Sequence, residues 1–422
     1  MTVTFTTIGA LLGLITAIAL INLKVQPAYS LILGALIGGI IGGGGLDTTI
    51  AAMITGCQGM VSAVLRILTS GILAGALIMT GSAEKIADEI VNRLGSKRAF
   101  LAIGLAAMII CGVGVFITVT VITVAPIALA IGKKAGFPKE AIVLAIIGGG
   151  KAGNIISPNS NTIAVAEAFQ VNLTSLMMKN MIPAIVAVIV TALLAAFLSK
   201  KPGIPITDAD LEHGTSHNTT LPSIWAALSG PAVVIFLLAM RPLFQITVDP
   251  LIALPIGGLI CTIACGRRSQ FLTYAEFGLN KVMGVSILLL GTGAIAGIIK
   301  ASSLPSDVLG WLQMMNLPTF LLAPVSGILM AAATASTTAG STVASQTFAG
   351  VLTGVGISAL SAGAMVHCGA IVIDSLPHGS FFHASCEPVN LTIKQRTKLI
   401  GYEAIIGFSA TLTAVLLYLS GH

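Results

Sequence analysis

Apolar stretches close to the length that crosses a hydrocarbon layer, about 20 residues, recur along the whole of this 422-residue chain. Phe5–Asn22, Ala28–Gly43, Ile67–Thr80, Ile182–Ser199, Ser223–Met240, Leu251–Cys265, Ser286–Ile299 and Leu399–Ser420 all read this way. Backbone placed in lipid has no water to bond, so each stretch must satisfy its own N–H and C=O groups, which a helix does. The sequence therefore predicts an all-α polytopic membrane protein. Only 9% of residues are charged and the mean hydropathy is +1.01, values that exclude a soluble globular class. The net charge of +6 comes from short Lys and Arg clusters between apolar runs. That pattern marks cytoplasmic loops and argues against a nucleic-acid partner. The first run has no basic leader, so it reads as a retained span rather than a cleaved signal.

Within this frame the most informative stretch is Gly148–Thr162, where glycines, amides and Pro158 interrupt an apolar run. Glycine and proline ruin a regular membrane helix unless the freed backbone groups find other partners. Such breaks are tolerated where backbone lines a polar cavity, so the stretch reads as half of a transport site. A second interruption, His367–Ser380 with Pro377, supplies the other half. Laying Ala74-Gly75 on Ala296-Gly297 gives an offset of 222, and Pro158 on Pro377 gives 219. The chain is thus expected to be a duplication.

The first repeat, residues 1–200, is expected to hold an inner hairpin at 99–132 and a broken helix at 141–169. A hydrophilic cytoplasmic linker, 201–222, leads to the second repeat, 223–422. There the outer hairpin is expected at 320–355 and the second broken helix at 360–387. Leu46–Arg66, Glu84–Arg98, Arg267–Lys281 and Ser302–Asn316 read as amphipathic arms, and Cys111-Gly-Val-Gly114 and Thr334–Thr342 interrupt the hairpins. The total is about ten transmembrane helices plus two re-entrant hairpins and two discontinuous helices. An odd number of crossings per copy inverts the second copy. Arg93, Lys97 and Arg98 before the first hairpin, with Lys133, Lys134 and Lys139 after it, place its ends in the cytoplasm. No Lys or Arg occurs from 301 to 393, so the second hairpin opens outward and both termini fall outside.

These features resemble the gluconate permease family of the ion transporter superfamily. The resemblance rests on Gly148-Gly-Gly-Lys-Ala-Gly-Asn-Ile-Ile-Ser-Pro-Asn159 and Ile373-Asp-Ser-Leu-Pro-His-Gly-Ser380, and within the family the chain looks most like the 3-hydroxybutyrate permease branch. It implies a scaffold domain, a transport domain of opposed hairpins and broken helices, and a homodimer in a bacterial inner membrane. It also implies proton-coupled uptake of a small hydroxylated monocarboxylate such as 3-hydroxybutyrate or gluconate, with no cofactor.

The residues can be read beside that resemblance. A carboxylate leaving water needs compensating charge and several hydrogen bonds, and half-helix N-termini aim N–H groups at an anion. Asn154, Ser157, Asn159, Ser160, Asn161 and Thr162 offer partners at the first break; Ser375, His378, Gly379 and Ser380 do so at the second. Thr118 and Thr120 from the inner hairpin, with Ser336, Thr337 and Thr338 from the outer one, would close the site from opposite faces. An ionisable group at bilayer depth is rare and usually functional. Lys151 is the candidate counter-charge for the substrate, and Asp374 the candidate proton carrier. His367 and His378 are alternative carriers, since histidine titrates near neutrality, and a purely structural Lys151–Asp374 ion pair is the competing reading. Glu167 and Glu387 read as structural pairs.

Other classes fit less well. Sodium-coupled relatives in the superfamily carry Ser-Asn-Thr at their hairpin tips, whereas here Ser160-Asn161-Thr162 lies at a helix break. That favours a proton over sodium as the coupling ion, with sodium symport the alternative. An anion channel would need no titratable carrier. Asp374, His378 and Ser380 lack a nucleophile motif, so an enzyme is not expected. The six cysteines form no disulfide framework, and neither Cys261 with Cys265 nor His213 with His217 makes a metal site.

Overall fold

A computed structural model describes residues 4–23, 25–94, 98–212, 221–244, 246, 248–314, 318–377 and 379–421. The described residues form helices joined by short turns, with one isolated bridge between Phe5 and Ser302. The first half runs α1 (Thr7–Asn22), α2 (Pro27–Ile41), α3 (Gly45–Gln58), α4 (Val61–Met79), α5 (Ser82–Leu94), α6 (Ala99–Gly112), α7 (Ile117–Ala135), α8 (Lys139–Asn154), α9 (Ser160–Ala168), α10 (Leu173–Lys179) and α11 (Met181–Leu198). A short α12 (Asp208–Glu212) lies in the linker. The second half runs α13 (Ile224–Phe244), α14 (Pro250–Ala264), α15 (Phe271–Lys300), α16 (Leu304–Met314), α17 (Leu322–Thr334), α18 (Thr337–Gly354), α19 (Ala359–Gly369), α20 (Ser380–Ala384), α21 (Ile393–Thr397) and α22 (Ile400–Leu419). Among the described residues, five helical stretches are long and apolar enough to cross a membrane, and several shorter apolar helices accompany them. The chain is a multi-pass membrane protein.

The interruptions fall close to where the sequence puts them. The chain turns between α6 and α7 at Gly114 (φ +115°) and between α17 and α18 at Ala335 (φ +44°). It loses helical form between α8 and α9, and again between α19 and α20. The second resumption is shorter than the expected continuous run to 387, since α20 holds five residues before a 3-10 turn at Glu387–Val389.

Three expectations are corrected. Gly148, Gly149, Gly150 and Lys151 do not lie in the first break; they form the last turns of α8. Glycine serves close helix contact there: a Cβ on Gly149 would lie 2.1 Å from the Gly104 carbonyl oxygen of α6, and one on Gly153 2.3 Å from that of Met108. Second, the arm Arg267–Lys281, from Phe271 onward, and the span Ser286–Ile299 are one 30-residue helix, α15. No proline interrupts it, and glycines along it meet neighbouring helices backbone to backbone, as at Gly278 with Gly71 of α4 and Gly297 with Ala52 of α3. Third, Leu46–Arg66 is not one arm: it divides at Gly59-Met60, so Arg66 belongs to α4.

The packing of the halves is reciprocal. α2 lies on α15 as α14 lies on α4; α1 meets α16 as α13 meets α5; α4 meets α15, and α11 meets α22. The crossing of α6 and α8 through Gly104 and Gly149 has its counterpart in α17 and α19, where Gly327 and Gly369 admit each other's helix. Thr191 of α11 sits against Gly148, and Thr411 of α22 donates to the Cys368 carbonyl. Lys24, Lys97, His213, His217, Asn316 and His378 lie outside the described residues.

Candidate functional site

Where a helix breaks, its carbonyls need new partners. In the first break, Asn180 at the head of α11 donates to the Ile155 carbonyl at 3.1 Å. In the second, Lys151 donates to the Ile371 carbonyl at 2.9 Å, so a side chain from one broken helix completes the backbone of the other. The two breaks therefore lie against each other.

At the first break Asn159 caps α9: its Oδ1 accepts from the Asn161 and Thr162 amides at 3.0 and 3.2 Å. Asn154 Oδ1 accepts from Asn159 Nδ2 at 2.6 Å and from Asn161 Nδ2 at 2.9 Å. This amide cluster is buried. At the second break Asp374 accepts three hydrogen bonds. Lys151 Nζ and Ser375 Oγ donate to Oδ1 at 2.5 and 3.0 Å, and Thr337 Oγ1 donates to Oδ2 at 2.5 Å. Lys151 is wholly buried, and Asp374 nearly so. An ion pair this dry persists only with its remaining bonds satisfied.

The α17–α18 tip closes over both breaks. Thr337 bonds Asp374 of the second, while the Thr338 hydroxyl donates to Asn161 Oδ1 of the first. Ser336 caps α18, accepting from the Ala339 amide at 3.2 Å. Ala335 and Gly379 pass so closely that a Cβ on Gly379 would lie 2.3 Å from the Ala335 carbonyl oxygen. Only glycine permits that approach.

Beside these elements is a cavity of about 690 Å³. The amide cluster and Ser160 form one part of its wall; Asp374, Gly379 and Ser380 form another; Ser336, Thr337 and Thr338 roof it. Thr118 from the α6–α7 tip joins, with Phe116, Ile117 and Ile122 adding an apolar strip. The far wall comes from the α1–α2 corner and from α15, which brings Lys281. Such a lining, polar at one end and apolar along a side, suits a small molecule with a charged head and a short carbon chain.

Most of the expected site residues are thus brought together, and a few are not. Lys151 sits behind Asp374 and off the cavity wall. Ser375 donates to Asp374 and is off the cavity wall. Thr120 and Ser157 are buried away from the wall. His367 is buried in α19 with Nδ1 3.5 Å from Asn180 Nδ2, also off the wall. Glu167 pairs with Arg66, which also holds Asp249. Three charged residues escaped the sequence reading. Glu403 of α22 has its Oε2 3.6 Å from Lys151 Nζ and pairs through Oε1 with Arg396. Lys281 escaped because it reads as part of an arm. A lone acid in the final apolar run was signal enough for Glu403. Arg396 sits between Lys394 and Lys398 and reads as loop charge.

The family model described as GntP family permease, the gluconate permeases, matches residues 1–420. An uncharacterized transporter of Haemophilus influenzae is 51% identical over 415 residues, 98% of each chain. The D-serine transporter DsdX of Escherichia coli K12 is 24% identical over 76% of this chain and 77% of its own. Among solved structures, the YdaH transporter of Alcanivorax borkumensis shares the fold with a TM-score of 0.68 at 15% identity, over 89% of this chain and 88% of that one.

Proposed function

Since this chain belongs to the GntP permease family and is a transporter rather than an enzyme, we propose that it is a secondary active symporter. It carries a small hydroxylated monocarboxylate, 3-hydroxybutyrate or a gluconate-like acid, together with a proton, by alternating access. The observation that carries this reading is the Lys151–Asp374 pair: a buried carboxyl on the cavity wall, facing the space where an anion would sit, with a cation directly behind it. Protonation releases Asp374 from Lys151 and leaves a positive charge for the incoming carboxylate to balance. The amide cluster and the Ser336–Thr338 tip offer partners for substrate hydroxyls, and the Phe116–Ile122 strip receives its carbon chain.

The same reading makes the halves inverted repeats, with the α6–α7 and α17–α18 pairs as re-entrant hairpins opening to opposite sides. Its supports are the recurrence of element order about 220 residues apart and the reciprocal packing of the two halves. A bacterial inner-membrane location, outside termini and a homodimer belong to the reading as well.

Purified protein in vesicles, offered labelled gluconate, 3-hydroxybutyrate and D-serine with pH and sodium gradients imposed separately, tests it. An inside-alkaline gradient is expected to drive uphill accumulation of a hydroxy acid, and a sodium gradient to drive none. Accumulation that follows sodium alone, or flow that only runs downhill as through a channel, overturns it.

A further inference from the structure

Asp374 and Lys151 do not stand alone in the interior. Glu403 and Arg396, on α22 and α21, are as deeply buried. Arg396 pairs with Glu403 Oε1, donates from Nε to Ser385 Oγ at 2.9 Å, and stacks its guanidinium 5.0 Å from the Phe382 ring centre. Glu403 Oε2 then lies 3.6 Å from Lys151 Nζ, and Lys151 lies 2.5 Å from Asp374. The row Arg396, Glu403, Lys151, Asp374 alternates in sign. With Asp374 ionised it sums to zero.

We propose that this row makes transport electroneutral, with one proton on Asp374 for each monovalent anion carried; the inference rests on the proton-symport reading above. In the empty form the two ion pairs cancel. In the loaded form Asp374 is neutral, and the substrate carboxylate replaces it as the balance for Lys151. Anion without proton leaves the interior at −1, and proton without anion leaves it at +1. A net charge held away from water is strongly penalised, so the two half-loaded forms do not complete the crossing. Glu403 is off the cavity wall and pairs with Arg396, so that pair acts as a fixed positioning element for Lys151.

Among the described residues, the other groups facing Asp374 do not alter the sum. Thr337 and Ser375 are neutral donors. His367 lies off the cavity wall beside Asn180. Lys281, across the cavity on α15, is exposed and keeps its water.

The test uses wild-type protein in vesicles with labelled gluconate and 3-hydroxybutyrate. An inside-alkaline pH gradient at zero potential is expected to drive accumulation. A potassium diffusion potential of about 100 mV, of either sign and with no pH gradient, is expected to change steady-state accumulation less than about twofold. One net charge moved per cycle would change it about 50-fold. Accumulation that follows both gradients overturns this inference and leaves the symport reading standing; failure of the pH gradient to drive uptake overturns both. In Asp374→Asn the empty carrier holds an unbalanced Lys151, so net uptake falls at least tenfold while labelled-for-unlabelled exchange persists and loses its pH dependence. Equal loss of exchange and net uptake overturns the assignment of the proton to Asp374.

Discussion

At the scale of single residues, the deciding fact is that Lys151 serves two carboxylates at once, Asp374 at 2.5 Å and Glu403 at 3.6 Å. Lys151→Ala strands both acids, and breaking a buried pair from one side costs about 3–5 kcal/mol. A marked fall in thermal unfolding temperature in detergent is expected, with part of it recovered in Lys151→Ala/Asp374→Asn. No recovery in the double variant would mean the two residues are not energetically coupled. Loss of substrate affinity is expected too, but only after this loss of stability is allowed for. Lys151 and Asp374 were legible in the sequence because a charge inside an apolar run announces itself. Glu403 obeyed the same rule and was passed over. Arg396 could not be read, since its burial comes from the chain turning back through α20 and α21 rather than from its neighbours in sequence.

Among the elements, glycine is where sequence reading misplaces structure. The Gly148–Gly150 run reads equally as a place where a helix fails and as one where two helices touch; only the neighbouring backbone decides. Here α6 approaches, and the break waits until Ile155. The contact is unequal from its two sides. A Cβ on Gly149 meets the Gly104 carbonyl oxygen at 2.1 Å, whereas one on Gly104 meets nothing closer than 3.7 Å. Gly149→Ala is therefore expected to destabilise by about 1–3 kcal/mol, the range for overpacking, and Gly104→Ala to be near neutral. Melting temperature and monodispersity in detergent check this, and equal behaviour of the two variants contradicts it. The α6–α7 turn and the second break, by contrast, were legible to within a few residues, because Gly114 and Pro377 leave the chain few regular options.

For the molecule as a whole, the described start of the linker, 201–212, is a clasp and not a loose tether. Buried Asp210 accepts from Lys139 Nζ at 2.6 Å in the first half and from Asn390 Nδ2 at 3.1 Å in the second. Burial opposes its ionisation, but the Lys139 ammonium, the Thr207 donors and Asn390 outweigh that and hold the carboxyl well below the usual range. A depressed folded-state pKa gives stability that is present above the unfolded value, about 3.9, and lost as pH falls through the folded one. The 201–212 stretch is thus expected to resist proteolysis at neutral and mildly acidic pH in the wild type and to be cut faster at pH 7 in Asp210→Asn. Identical cleavage would show that the clasp holds nothing. Its composition announced a linker, but not its docking, which needs both halves in place. The 30-residue α15 has a different consequence. At about 1.5 Å per residue it is a rod of roughly 45 Å in a hydrocarbon layer of about 30 Å, so it must lean or jut. With α2, α3, α4 and α18 stacked against it, a cell that thins or thickens its lipid alters that slant, and every helix resting on the rod shifts its stance accordingly.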